Sequence, residues 1–206
     1  MAAPRPPHDW TAALTHLAAA DPRLAPLIAK HGAPDIAPRK DPVHALARAI
    51  VGQQLSTAAA ATIWGRVIAH YGGKLPAAAA ILATPDAILR AAGLSGAKTA
   101  AIKDLAQHVL DKKVVPARLF RATDAEVLAM LLPVRGIGPW SVDMFLMFTL
   151  ARPDVLPVGD LGIRKGMQKH FRLRALPDAA KMTRLAAPWR PYRTVGSWYM
   201  WRLLDS

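Results

Sequence analysis

The stretch VRGIGPWSVDMF, residues 134–145, sets two glycines around one isoleucine and places a proline and a tryptophan directly behind them. Glycine permits positive φ and lets another molecule approach the backbone closely. In LLPVRGIGPWSV a helix must stop at or before Pro133, and Pro139 suits the first position of the next helix, where a missing N–H costs nothing. The amides of Gly136, Ile137 and Gly138 then face outward beside the positive end of a helix, which makes a site for a phosphate. The same residues also suit a tight, close-packed helix connection. Arg135, Arg164 and Lys165 could add phosphate contacts, with a solvated charged face as the alternative for each. Asp160, in PVGDLGIR, stands where an N-cap of LGIRKGMQKHF belongs. A helix N-terminus favours an ionised carboxylate by roughly 0.3–1 kcal/mol at exposed sites.

Other chemistry is excluded by what the chain lacks. It has no cysteine, which removes disulfides, thiolate zinc sites, iron–sulfur clusters and cysteine nucleophiles together. The seven histidines form no metal-binding pattern, and YGGKLP lacks the spacing of a phosphate-binding loop. The formal charge of +13 favours a polyanionic partner. From Pro157 onward ten basic residues face three acidic ones, so more than half of the excess charge lies in the last quarter and suggests a face. A composition bias with solvated helix faces would give the same totals. The N-terminus carries no apolar core of signal-peptide type, and no stretch approaches the ~20 apolar residues of a membrane span. A soluble, cytoplasmic protein without membrane contact is expected.

At 206 residues and 52% hydrophobic composition, the chain can bury a sizeable core around these groups. Nearly every boundary signal is helical. Asp9 precedes WTAALTHLAAA; Asp41 and Pro42 fit the N-cap and first turn of VHALARAIV; Thr84 and Pro85 do the same for DAILRAA, which stops at Gly93. Ser56 can cap TAAAATIWGRVIAHY, closed by Gly72 and Gly73, and TDAE from Thr123 to Glu126 is a capping box. KKVVP and its like are too short to build a sheet. An all-α fold of about eight to eleven helices, most of about 8–16 residues, is predicted. The Pro-rich MAAPRPP reads as a frayed end.

LPVRGIGPWSV, followed by PDVLPVGDLGIRKG, resembles the helix-hairpin-helix DNA glycosylases, whose Gly-Pro-Asp region follows the hairpin. AIVGQQLSTAAAATIWGRV from Ala49, GLSGAKTAAIKDLA from Gly93 and PWRPYRTVGSWYMWR from Pro188 agree, so the likeness spans about residues 42–204 in the family's order. Within the family the pattern is most similar to the DNA-3-methyladenine glycosylase II branch, in a compact form without the N-terminal β-domain of longer bacterial members.

The resemblance implies a single helix-hairpin-helix glycosylase unit over residues 1–206, with two helical lobes and the active-site cleft between them. Its hairpin falls at about residues 126–151, and the N-terminal helices, residues 9–35, pack with the C-terminal ones. The implied activity is monofunctional hydrolysis of the N-glycosidic bond of alkylated bases such as 3-methyladenine, initiating base excision repair of double-stranded DNA. Asp160 matches the family's catalytic aspartate, whose carboxylate stabilises the sugar cation or orients water. Trp140 replaces the lysine by which strand-cleaving relatives form a Schiff base; a core aromatic behind the hairpin is the alternative reading. Trp140 and Trp201 are implied as the stacking walls of the base pocket, suited to cationic purines, with Met144 and Leu161 where the family has tyrosines. Gln54 matches the wedge that fills the vacated stack, where the longer member has leucine. Gln53 supports the loop or the opposite strand, and Ser56 is more simply an N-cap; a polar loop between helices is the alternative for both glutamines. Gly136, Ile137 and Gly138 with Lys165 are implied to hold phosphate. A sodium or potassium ion at the main-chain carbonyls of Leu132, Val134 and Ile137 is also implied, with no cofactor needed for catalysis. A monomer, nucleoid-associated when bound to DNA, is expected. Two other readings remain open: a non-catalytic DNA-binding module of a repair assembly, and a glycosylase for deaminated bases.

Overall fold

The computed structural model describes residues 9–205; the Pro-rich start, expected as a frayed end, lies outside them. Among the described residues there are no strands and thirteen α-helices. In chain order these are α1 (Thr11–Ala20), α2 (Ala25–His31), α3 (Pro42–Gly52), α4 (Thr57–His70), α5 (Ala78–Ala83), α6 (Asp86–Ala91) and α7 (Gly96–Leu110). They continue as α8 (Pro116–Leu119), α9 (Asp124–Leu131), α10 (Pro139–Phe148), α11 (Leu161–His170), α12 (Ala179–Leu185) and α13 (Arg193–Arg202). Short 3-10 turns fill Pro22–Leu24 and Ala187–Trp189.

Thirteen helices exceed the eight to eleven expected, because prolines at first-turn positions split segments read as one. Pro22, Pro26 and Pro116 each occupy a first-turn position, and this divides the N-terminal segment and creates the one-turn α8. Asp41, Ser56 and Thr123 cap as expected, accepting the amides of His44, Ala59 and Glu126 at 2.9, 3.3 and 3.3 Å. Two caps fall one residue away from the expected place. Trp10 is the N-cap of α1 while Asp9 accepts the Thr11 amide, and Pro85 is the N-cap of α6. Thr84 instead closes α5, donating to the Ala80 carbonyl and accepting the Tyr71 hydroxyl, both at 2.8 Å.

The chain divides into two compact units: a central one, Arg39–Phe145, and a terminal one built from the stretches up to Pro38 and from Leu146 onward. In the central unit α7 packs on α3 and α5, burying Ile102 and Leu105 with Leu46, Ile50 and Ile81. Removing these side chains from water supplies roughly 1.5–3 kcal/mol each.

The terminal unit is organised by α11 against α13. The two approach so closely that a Cβ on Gly166 would lie 2.3 Å from the Met200 carbonyl oxygen. The N-terminal helices join this unit through polar ties as well as apolar ones. The Tyr199 hydroxyl donates to the Gly32 carbonyl at 2.7 Å. Asp21, 3% exposed, accepts His170 Nε2 at 2.7 Å, Trp189 Nε1 at 3.1 Å and Arg23 Nε at 2.7 Å. Burial works against the Asp21 charge, yet these donors hold its carboxyl below the usual range. Burial lowers the His170 pKa, against the pull of Asp21.

Candidate active site

Asp160 is the N-cap of α11. Its Oδ1 accepts the Ile163 amide at 2.7 Å, so the capping role inferred from the sequence is met. The same oxygen accepts the Trp201 indole N–H at 3.0 Å. Asp160 is only 9% exposed, and a carboxylate removed from water needs such donors. The geometry follows from the close approach of α11 and α13. Gly162 brings the first turn of α11 under Trp201, where a Cβ would lie 2.8 Å from Trp201 Cδ1 and 3.1 Å from Asp160 Oδ1. Trp201 also stacks on Phe148, with ring centres 5.8 Å apart. The loop that leads to Asp160 is tied to α13 further back. Arg193 Nε and Nη2 reach Asp154 Oδ1 and Oδ2 at 2.6 and 3.0 Å, and the Thr194 hydroxyl joins the Arg152 carbonyl to the Val155 amide. None of these ties is visible in sequence spacing; the one available signal was the Gly162-x-x-x-Gly166 repeat, which marks a helix face made for close packing.

The turn between α9 and α10 has Gly136 at φ +78°, in the left-handed region that glycine favours. Its amides are not equivalent. Arg135 N–H donates to Asp104 Oδ2 at 2.7 Å, and Ile137 N–H donates to the Val134 carbonyl at 3.0 Å. The expectation of three outward amides is corrected at Ile137, whose N–H closes the turn itself. Among the described residues the Gly136 and Gly138 amides donate to no protein acceptor, so two remain for an anion. Pro139 opens α10 as expected.

Gln53 is the C-cap of α3, and Gln54 follows at φ +57° with its side chain exposed. Gln53 Nε2 donates to the Gly136 carbonyl at 2.9 Å and lies 3.4 Å from Ser141 Oγ, which makes it a brace between its loop and the glycine turn. Lys98, on α7, donates through Nζ to the Val51 and Gln53 carbonyls, both at 2.7 Å. Sequence reasoning passed over Lys98 because its partners are backbone atoms 47 and 45 residues away.

Trp140 is 46% exposed, which removes the core reading of this residue. Met144, on the same helix, is half-buried, and Leu161, at the start of α11, is 52% exposed. Lys165 is exposed on α11, in the terminal unit, whereas the glycine turn belongs to the central one. Asp143, between Val142 and Met144, drew no notice in the sequence. Burial, with the negative charge of Asp124 second, pushes its carboxyl up to about 6. An apolar pocket in the central unit, lined by Val43, Leu75, Ile81, Ile102, Leu105 and Val109 among others, shares no residue with these groups.

Comparison with known proteins bears on the same residues. The chain is 31% identical over 198 residues to DNA-3-methyladenine glycosylase 1 of Schizosaccharomyces pombe, covering 93% of this chain and 86% of that one. A solved structure of the S. pombe 3-methyladenine DNA glycosylase in complex with abasic DNA superposes with a TM-score of 0.83 at 31% identity, over 93% of this chain and 96% of the other. A DNA-3-methyladenine glycosidase from Bacillus halodurans matches with a TM-score of 0.81 at 34% identity, over 92% and 88%. A family model described as HhH-GPD superfamily base excision DNA repair protein matches residues 47–191, which takes in Gln53, the glycine turn and Asp160. Sequence pattern, all-helical architecture and solved relatives thus converge, and the chain belongs to the HhH-GPD superfamily of base excision DNA repair proteins.

Proposed function

We propose that this chain is a monofunctional DNA glycosylase that hydrolyses the N-glycosidic bond of alkylated bases such as 3-methyladenine in double-stranded DNA, opening base excision repair. The observation that carries the reading is Asp160, a buried carboxylate held by the Ile163 amide and the Trp201 indole. As the C1′–N bond breaks, its electron pair leaves with the base and positive charge grows on the sugar. A fixed carboxylate stabilises that charge without reorganising. Water then adds its oxygen to C1′, and its proton passes to solvent. A purine nucleotide alkylated at N3 or N7 already carries positive charge, so its base leaves readily and stacks well on an indole face. Trp140, Met144, Leu161 and Trp201 are the candidate base-contacting residues in this reading. Trp140 supplies no amine for a Schiff base, so the product is an intact abasic site.

Gly136 and Gly138 take a backbone phosphate through their amides, Lys165 adds a second contact, and Gln54 enters the stack that the base leaves. A sodium or potassium ion at the carbonyls of Leu132, Val134 and Ile137 belongs to the same reading. The Val134 oxygen already accepts the Ile137 amide and keeps one lone pair. The protein acts as a monomer.

One assay tests the reading. Wild type and Asp160→Asn are incubated with oligonucleotides carrying one alkylated base each, and products are separated with and without alkali. Asparagine caps about as well as aspartate, so unfolding should hardly change. Excision should fall about 10²–10³-fold. Wild-type strands should break only after alkali. Full activity in folded Asp160→Asn would refute the role of Asp160, and breaks without alkali would refute the monofunctional assignment.

A further inference from the structure

Gln54 holds φ +57° although it is not glycine, asparagine or aspartate. Such a conformation is unfavourable for an ordinary side chain and persists only where the surroundings impose it. The surroundings are specific. α3 ends at Gly52, and the Gln53 amide still donates back to Ala49 and Ile50. Gly52–Leu55 is a type II turn closed by the Leu55 amide on the Gly52 carbonyl at 3.2 Å, and the orientation of its central peptide, which the Gln53 oxygen marks, sets ψ of Gln53 and with it the sign of φ at Gln54. Lys98 Nζ does this at 2.7 Å, with a second 2.7 Å bond to Val51 O. Both oxygens lie at the C-terminal end of α3, where a cation is favoured by the helix dipole. The Gln53 side chain, bound to Gly136 O, secures the same residue from the other side.

We infer that Lys98 is a positioning residue: by holding the Gln53–Gln54 peptide through two charge-assisted hydrogen bonds, it forces Gln54 into the left-handed conformation and so aims its side chain. This rests on the proposed wedge role of Gln54 only for its functional consequence, a faster flip of the damaged base. Partial burial of the ammonium between these oxygens lowers its pKa.

Two measurements on the full chain separate the inference from the wedge reading. The first is an unfolding cycle with Lys98→Met and Gln54→Gly, singly and together. Lys98→Met keeps the aliphatic stem and should lower the unfolding midpoint. Glycine takes positive φ freely, so Lys98→Met should shift the folding constant about tenfold with Gln54 present and at most about threefold in the Gln54→Gly background. Equal effects in both backgrounds would overturn the inference, whatever Gln54 does. The second measurement is single-turnover excision of 7-methylguanine placed opposite cytosine or opposite an abasic analogue. Gln54→Ala and Lys98→Met should each slow the paired lesion about tenfold and the unpaired one by less than twofold, and the double variant should be no slower than Gln54→Ala. A Lys98→Met defect that ignores the opposite base, beside a Gln54→Ala defect that depends on it, would overturn the inference. A Gln54→Ala defect indifferent to pairing would remove the wedge role alone and leave the unfolding cycle to decide on Lys98.

Discussion

Asp143 shows how one side chain can carry a cost inside a helix. Its carboxyl is pushed up to about 6, first by burial and then by the charge of Asp124. Because the folded pKa lies above the ordinary 3.8, the folded state binds the proton more tightly than the unfolded chain does. The stability that this proton provides is complete below about pH 3.8 and is lost as pH rises through about 6. Asp143→Asn should therefore raise the thermal midpoint at pH 8 and leave it nearly unchanged at pH 3.5, as followed by circular dichroism. A gain of equal size at both pH values would show that the proton is not involved. The Asp160 carboxylate, by contrast, is met by the Ile163 amide and the Trp201 indole.

At the scale of the elements, the α11–α13 contact places the carboxylate and the indole together. Gly162→Ala would put a methyl 2.8–2.9 Å from the Trp201 indole and 3.1 Å from Asp160 Oδ1, and either Trp201 or the helix must shift. Alanine would otherwise gain about 1 kcal/mol in a helix over glycine. Gly162→Ala should lower excision at least tenfold and cost about 1–3 kcal/mol in urea unfolding, as overpacking does. Gly65→Ala on α4, where a Cβ meets nothing within 4 Å, should stabilise by about 0.5–1 kcal/mol and leave excision alone. If the two variants behaved alike, the contact would not hold the pair in place. The same contrast explains what could be read in the sequence. Caps are local, so Asp41, Ser56, Thr123 and Asp160 were legible three residues from their partners. Asp9 and Thr84 were placed one position off because Trp10 and Pro85 also fit the boundary. The bond from Gln53 to Gly136 crosses 83 residues, and that from Trp201 to Asp160 crosses 41, with no periodicity to announce either. Trp140 could be assigned to a pocket by resemblance but not by physics, since only its exposure in the structure separates it from a core tryptophan.

For the whole molecule, the +13 charge governs how DNA is met. Binding to undamaged duplex should weaken steeply with salt, with a log–log slope near −0.9 for each phosphate neutralised. Lys165→Ala should reduce that slope by about one contact without altering preference among sequences. Titration of a fluorescent duplex at several salt concentrations gives the slope, and a flat line would contradict the phosphate-contact reading. The division of the chain carries one more consequence, for its birth on the ribosome. The central unit is a single continuous stretch and can close once Phe145 has emerged, while α1 and α2 wait for partners that are translated last. Gly32 waits for Tyr199, and Asp21 for His170 and Trp189. Asp160 is finished later still, when Trp201 arrives. A nascent chain arrested between these events would display a formed glycine turn while the Asp160 carboxylate still lacks its indole partner.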